Sequence, residues 1–271
     1  MLKRTISGAA LLVLAFIAFY FGGYVLFAVT LFISLLGMYE LFRVFQIERT
    51  PQALLGYIGT IGYYVALLFE DVIRYTFPFM CAFVMLLLIS YVLTFPKVKA
   101  IQVACVPFAF IYVAVLMSFV YRIRILEGGQ YFVWVVLLGS WGSDTFAYLA
   151  GVTMGKHKAF PVLSPKKTWE GCAGGVLGAI LLGGLFGFIF ANRLPEFGSV
   201  PAFVVVGLVC GGSAILSMFG DLTASAIKRD HNVKDYGKLI PGHGGIMDRF
   251  DSVLFTAPTV YFLIILFKQL M

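Results

Sequence analysis

The chain has 271 residues, of which 61% are hydrophobic and 12% charged, about half the charged share of a soluble domain, and its mean hydropathy is +0.97. This excludes a water-soluble globular enzyme, and the apolar runs are too long and continuous for barrel strands that alternate inward and outward over about ten residues. The net charge of +7 does not call for nucleic acid, because cationic loops that stay in the cytoplasm account for it.

Hydropathy predicts an all-α, polytopic membrane helical bundle of about nine transmembrane helices, each needing about 20 residues. The runs fall at about 6–21, 24–42, 52–70, 77–95, 101–121, 130–150, 171–191, 201–220 and 252–269. Only Gly22-Gly23 separates the first two, so a tight hairpin or a partly inserted first segment is the alternative there. Lys3 and Arg4 precede the first run as they would in a secretory signal, but no small-x-small cleavage site follows, so the run reads as an anchored helix. Cys81, Cys105, Cys172 and Cys210 lie among apolar residues without metal or redox spacing and read as small core residues.

Lys and Arg set the orientation. Fifteen of the 20 fall on the side of the N-terminus, which places the N-terminus and two long loops, 152–170 and 221–251, in the cytoplasm and the C-terminus outside, in the cell (inner) membrane. Residues 1–130 read as about five N-terminal spans with little polar detail, and 131–271 as the catalytic transmembrane region. Gly174-Gly175, Gly178 and Gly183-Gly184 permit close helix packing within one chain or between two copies, so a homodimer is a further expectation.

The polar residues concentrate at the end of the chain. Of the 20 Lys and Arg and 13 Asp and Glu, ten lie between Asp221 and Asp251. Asp248 and Asp251, three apart, share one face of a helix, and Asp221 ends the preceding span. This oxygen-only set suits Mg²⁺ better than zinc, although solvated helix ends balanced by neighbouring cations would also account for it. Pro241-Gly242-His243-Gly244-Gly245 frees the backbone for close approach to a ligand and for an anion-binding concavity. His243 is open to three roles: proton donor, phosphate hydrogen-bonder or loop residue. Lys228 and Arg229 can neutralise phosphates or meet anionic headgroups. Asp144, inside an apolar segment, is costly there unless it faces a polar interior, which makes it a site candidate. In Ser164-Pro165-Lys166-Lys167-Thr168-Trp169-Glu170-Gly171, helix capping by Ser164 or Thr168 and phosphate binding by the lysines are compatible.

The stretch from Ser225 to Asp251, with Lys228-Arg229, Lys234-Asp235, Pro241-Gly-His243-Gly244-Gly245 and Asp248-Arg249-Phe-Asp251, resembles the signature of the phosphatidate cytidylyltransferases, or CDP-diacylglycerol synthases. Asp144-Thr-Phe-Ala-Tyr148 and the Ser164 to Gly171 segment are similar to that family as well. The resemblance is detailed over the C-terminal half and unspecific over the N-terminal spans. It implies transfer of the cytidylyl group of CTP to phosphatidate, giving CDP-diacylglycerol and pyrophosphate, with one or two divalent ions such as Mg²⁺, at the lipid bilayer. The residues fit: phosphatidate is itself an anionic oxygen nucleophile, so no protein nucleophile is needed, while positioning and charge neutralisation are. The expected metal ligands are Asp221, Asp248 and Asp251, with Asp144 as a fourth acid orienting metal or substrate. Lys167, Lys228 and Arg229 are the expected phosphate clamps, with Lys166, Lys234 and Arg249 behind them and Ser225, His243, Gly244 and Gly245 in the substrate loop. The alternatives are another CTP-dependent lipid transferase, a polyprenol or phytol kinase, and a transporter; the last is disfavoured because no inverted repeat is visible.

Overall fold

A chain in hydrocarbon can satisfy an isolated span's backbone only as a helix, and the apolar runs fold accordingly. The computed structural model describes residues 2–69, 72–239 and 244–270. Its helices are α1 (Leu2–Phe21), α2 (Gly23–Val44), α3 (Pro51–Ala66), α4 (Val72–Thr94), α5 (Ala100–Arg124), α6 (Gly129–Met154), α7 (Trp169–Ile189), α8 (Ala202–Asp230) and α9 (Met247–Leu270). A short antiparallel hairpin, β1 (Lys158–Phe160) and β2 (Ser164–Thr168), joins α6 to α7. The protein is an integral membrane helical bundle.

Among the described residues, seven helices are long and apolar enough to cross a membrane. The other two are α1, whose apolar stretch is Leu12–Phe21, and α3, with 16 residues. At about 1.5 Å per residue α3 reaches about 24 Å, short of a hydrocarbon core of about 30 Å. Of the about nine spans expected, seven therefore form helices of spanning length and composition, and the other two runs form the shorter apolar stretch of α1 and α3.

Local chemistry sets the helix ends. Gly22 and Gly23 hold φ of 59° and 45°, a left-handed pair that breaks α1 from α2 and that few other residues adopt. Thr50 accepts a hydrogen bond from the Ala53 N–H at 3.2 Å ahead of Pro51, and Thr168 accepts from the Gly171 N–H at 3.1 Å to cap α7. The expected Thr168 cap is thus present. Ser164 lies in β2 instead, five residues before the first residue of the helix.

α8 is the central element of the C-terminal half, packed on α7 and α9, while α6 packs on α7 and α9 also meets α5. The glycines of α7 permit this. A side chain at Gly174, Gly175 or Gly178 would run into Ala150, Ala147 or Phe146 of α6, and one at Gly183 into Cys210 of α8. The small-residue runs are thus used for packing within the chain. In the N-terminal half, buried hydroxyls knit the spans: Ser34 of α2 meets Tyr64 of α3 at 2.8 Å, and Tyr63 meets Ser118 of α5 at 3.0 Å. Such intramembrane pairs contribute about 0.6 kcal/mol each.

Candidate active site

Asp144 follows a π-helical stretch, Leu138–Gly142, inside α6. Such a bulge re-aims the next turn and is frequent at functional sites. Ten residues of helix separate Asp144 from Met154, which sets it about 15 Å below the helix end. Asp221 is similarly recessed, because α8 does not stop near residue 220 but runs on to Asp230. Its last turns carry so many charges that in sequence they read as loop. Ser225, Lys228 and Arg229 consequently stand on a helix, at positions that share a face with Asp221. Asp251 lies one turn into α9, 8% exposed, with Oδ1 accepting from its neighbour's Ser252 N–H at 2.8 Å.

Asp144, Asp221, Asp248 and Asp251 line one cavity of about 560 Å³, together with Arg249 and Trp141. A second cavity, of about 320 Å³, lies between α6 and α7 and is lined by Asp144, Lys166 and Lys167 beside small residues such as Ala147, Gly151 and Gly171. Asp144 belongs to both. Lys167 ties them together, its Nζ lying 2.6 Å from Asp221 Oδ2.

Among the described residues, no three His, Cys, Asp or Glu side chains are gathered tightly enough to hold a metal ion by themselves. The donor chemistry nevertheless fits a hard divalent cation. Mg²⁺ is commonly held by one or two carboxylates, water and substrate phosphates rather than by an all-protein cage, and every acid on the cavity wall offers oxygen.

Asp248 has a different setting from the other three. Lys228 Nζ donates to its Oδ1 at 2.8 Å, and the N–H groups of Tyr236 and Gly245 both donate to its Oδ2 at 2.9 Å. Its side chain is 4% exposed. Lys228 also lies over the Tyr236 ring, 5.4 Å from its centre. The Tyr236 hydroxyl donates to the Ala224 carbonyl at 3.0 Å, and burial raises its pKa, which keeps the phenol neutral. Gly244, at φ 85°, would bring a Cβ to 2.8 Å from Asp248 Oδ2. Asp248 and Lys228 thus brace the turn ahead of α9.

The remaining predicted residues are spread more widely. Arg229 and Lys234 are exposed, as is Lys166 at the mouth of the second cavity; Ser225 is half-buried on α8. Arg249 faces the carboxylate cavity. His243, with Pro241 and Gly242, lies outside the described residues. Glu170 stands in the first turn of α7 and reaches across to the turn before β1, accepting from the Lys156 N–H at 3.2 Å and meeting His157 Nδ1 at 2.6 Å.

One residue outside the predicted set bears on this site. Glu40 of α2, 4% exposed, accepts from the Ile246 and Met247 N–H groups at 3.0 and 2.9 Å, capping α9 from the other half of the chain. Its signal in the sequence was a lone acid inside the apolar run Gly37-Met38-Tyr39-Glu40-Leu41, where an ionisable residue needs a partner.

Comparison with known proteins gives a consistent result. The family described as "Cytidylyltransferase family" matches residues 2–267. The chain is similar to the phosphatidate cytidylyltransferase of Bacillus subtilis (strain 168), 31% identical over 249 residues that cover 88% of this chain and 89% of that one. It is 30% identical to that of Staphylococcus saprophyticus over 269 residues, covering 97% and 98%. With that of Thermotoga maritima it shares 38% over 171 residues, 62% of this chain and 60% of the other.

Proposed function

The chain belongs to the cytidylyltransferase family, as a nucleotidyltransferase that makes CDP-diacylglycerol and pyrophosphate from CTP and phosphatidate, and from this premise we propose how its cavities carry out the transfer. The carrying observation is the position of Asp144, shared by a cavity walled with carboxylates and a cleft of small residues edged by Lys166 and Lys167. We assign the carboxylate cavity to the CTP phosphates and the cleft between α6 and α7 to phosphatidate, whose acyl chains can lie along Ala147, Gly151 and Gly171 while its phosphate meets the lysines.

In this reading an oxygen of the lipid phosphate attacks the α-phosphorus of CTP. The new bond joins that oxygen to the α-phosphorus, the bond from the α-phosphorus to the bridging oxygen breaks, and pyrophosphate leaves with the electron pair. The nucleophile is already anionic, so the chain supplies position and charge rather than a covalent intermediate. Lys167, held by Asp221 at 2.6 Å, is a preorganised cation facing the junction of the two cavities. Asp144, Asp221 and Asp251, with phosphate oxygens of the substrate, would hold a divalent cation that neutralises developing charge. Asp248 and Lys228 hold the wall, and the exposed Arg229 meets the distal phosphates.

The orientation follows the cation bias, with fifteen of the 20 Lys and Arg on the side of the N-terminus. We assign that side, with β1–β2 and the 231–246 segment, to the cytoplasm, where CTP is. The short α3 crosses by local thinning of the bilayer.

CTP labelled at the α- or the γ-phosphate separates this reading from a lipid kinase. Label from the α position alone should enter the organic-soluble lipid. Transfer of γ-label would establish the kinase.

A further inference from the structure

The acid that caps α9 comes from the half of the chain whose sequence carries little polar detail. Glu40 spends both carboxylate oxygens on successive N–H groups, those of Ile246 and Met247, while the Gly245 N–H before them goes to Asp248. Three consecutive N–H groups at the start of α9 are therefore fixed by two carboxylates reaching it from opposite directions in sequence. The fit around Glu40 is tight: a Cβ at Gly237 or at Gly245 would run into its carboxylate. The loop thus approaches Glu40 at two separate points, one directly after Tyr236 and one three residues before Asp248.

A helix start held at two successive N–H groups is fixed in rotation as well as in height. Met247 is one turn before Asp251, so the same constraint sets the direction in which Asp251 faces the cavity. A rotation of one residue in α9 would turn Asp251 by about 100° away from Asp221 and Asp144.

We propose that Glu40 is a positioning residue for cytidylyl transfer, acting through the N-terminal turn of α9 to set the direction in which Asp251 and Arg249 face the carboxylate cavity. The proposal rests on the assignment of the carboxylate cavity to CTP. It gives α2 a role in the reaction without contact with either substrate, and it accounts for the glycines at 237 and 245 as clearance for the carboxylate.

The test uses the full chain in detergent micelles with CTP and phosphatidate. It compares the parent with Glu40→Gln, Glu40→Ala, Gly245→Ala and the double variant Glu40→Ala with Gly245→Ala. Glutamine keeps the shape but presents an NH₂ group to one of the two N–H donors. Expected for Glu40→Gln is a fall in kcat of at least tenfold per folded molecule, with the KM for CTP within threefold. Gly245→Ala should lower kcat alone, yet add less than threefold to Glu40→Ala, because the space its Cβ needs is then free.

A kcat per folded molecule within twofold of the parent in Glu40→Gln would overturn the proposal. So would loss of activity that only tracks loss of folded protein, or failure of both Glu40 variants to fold, since each marks a role in folding alone. A parent that forms no CDP-diacylglycerol would refute the activity itself, a separate failure that the same assay reads first.

Discussion

Lys167→Gln tests the junction of the two cavities. Lys167 Nζ lies 2.6 Å from Asp221 Oδ2, with side-chain exposures of 23% and 31%, so the pair is neither surface-screened nor fully buried. Its loss should cost the fold more than the ~0–1 kcal/mol of an exposed pair and less than the ~3–5 kcal/mol of a buried one broken from one side, which leaves the protein folded. The catalytic loss is larger. A preorganised donor facing developing charge contributes ~2.7–4 kcal/mol to the transition state, or about 10²–10³ in rate. The assay is turnover at saturating CTP and phosphatidate, so that lost ground-state affinity is not read as lost catalysis. Asp221→Asn and the double variant complete a cycle: because the two groups act as one unit, the double should lose much less than the product of the single losses. Lys97→Gln with Lys99→Gln is the control, since these sit in a short loop and contribute ~1 kcal/mol each through anionic headgroups. Turnover of Lys167→Gln within a few-fold of that control would refute the placement of a specific cation here.

Asp144→Asn and Asp251→Asn should each lower turnover at least a hundredfold with the protein still folded, and chelation of divalent ions should abolish the parent's activity and Mg²⁺ restore it; full turnover in excess chelator would remove the metal role. Arg229→Gln, exposed at the end of α8, should raise the KM for CTP several-fold with kcat within threefold, and a kcat loss of a hundredfold would place it among the transition-state contacts instead. Gly178→Leu should destabilise the fold by about 1–3 kcal/mol through overpacking on Phe146, read as a lower denaturation midpoint in detergent; an unchanged midpoint would contradict the packing of α6 on α7. Cysteines introduced at Lys158 and Lys238, both exposed, should react with an impermeant thiol probe only from the cytoplasmic side, and labelling from outside would reverse the orientation.

Hydrophobic length made the membrane class and most helix positions legible, because a spanning segment must be both apolar and helical. It misjudged the end of α8, where charge density outweighed helical continuity: Ser225, Lys228 and Arg229 belong to the helix that carries Asp221. The acids of the site were legible as residue types in costly positions, Asp144 above all, but their division of labour was not. Asp248 and Asp251 share a helix face in sequence, and only the fold shows that Lys228, Tyr236 and Gly245 engage the first. Glu40 escaped because its partners are backbone N–H groups 206 and 207 residues away, and no spacing rule spans that distance. The β1–β2 hairpin left no alternating apolar pattern, since its residues are Lys158–Phe160 and Ser164–Thr168.

Direct in-line displacement on the α-phosphorus, with no covalent intermediate on the protein, leaves a stereochemical signature. CTP carrying sulfur and an oxygen isotope in place of the α-phosphate oxygens makes that phosphorus chiral, so the configuration of the CDP-diacylglycerol product reports the number of displacements. A single attack by the lipid phosphate predicts inversion. Retention would require two displacements through a nucleotidyl-protein intermediate, and would rule out direct attack by the lipid phosphate.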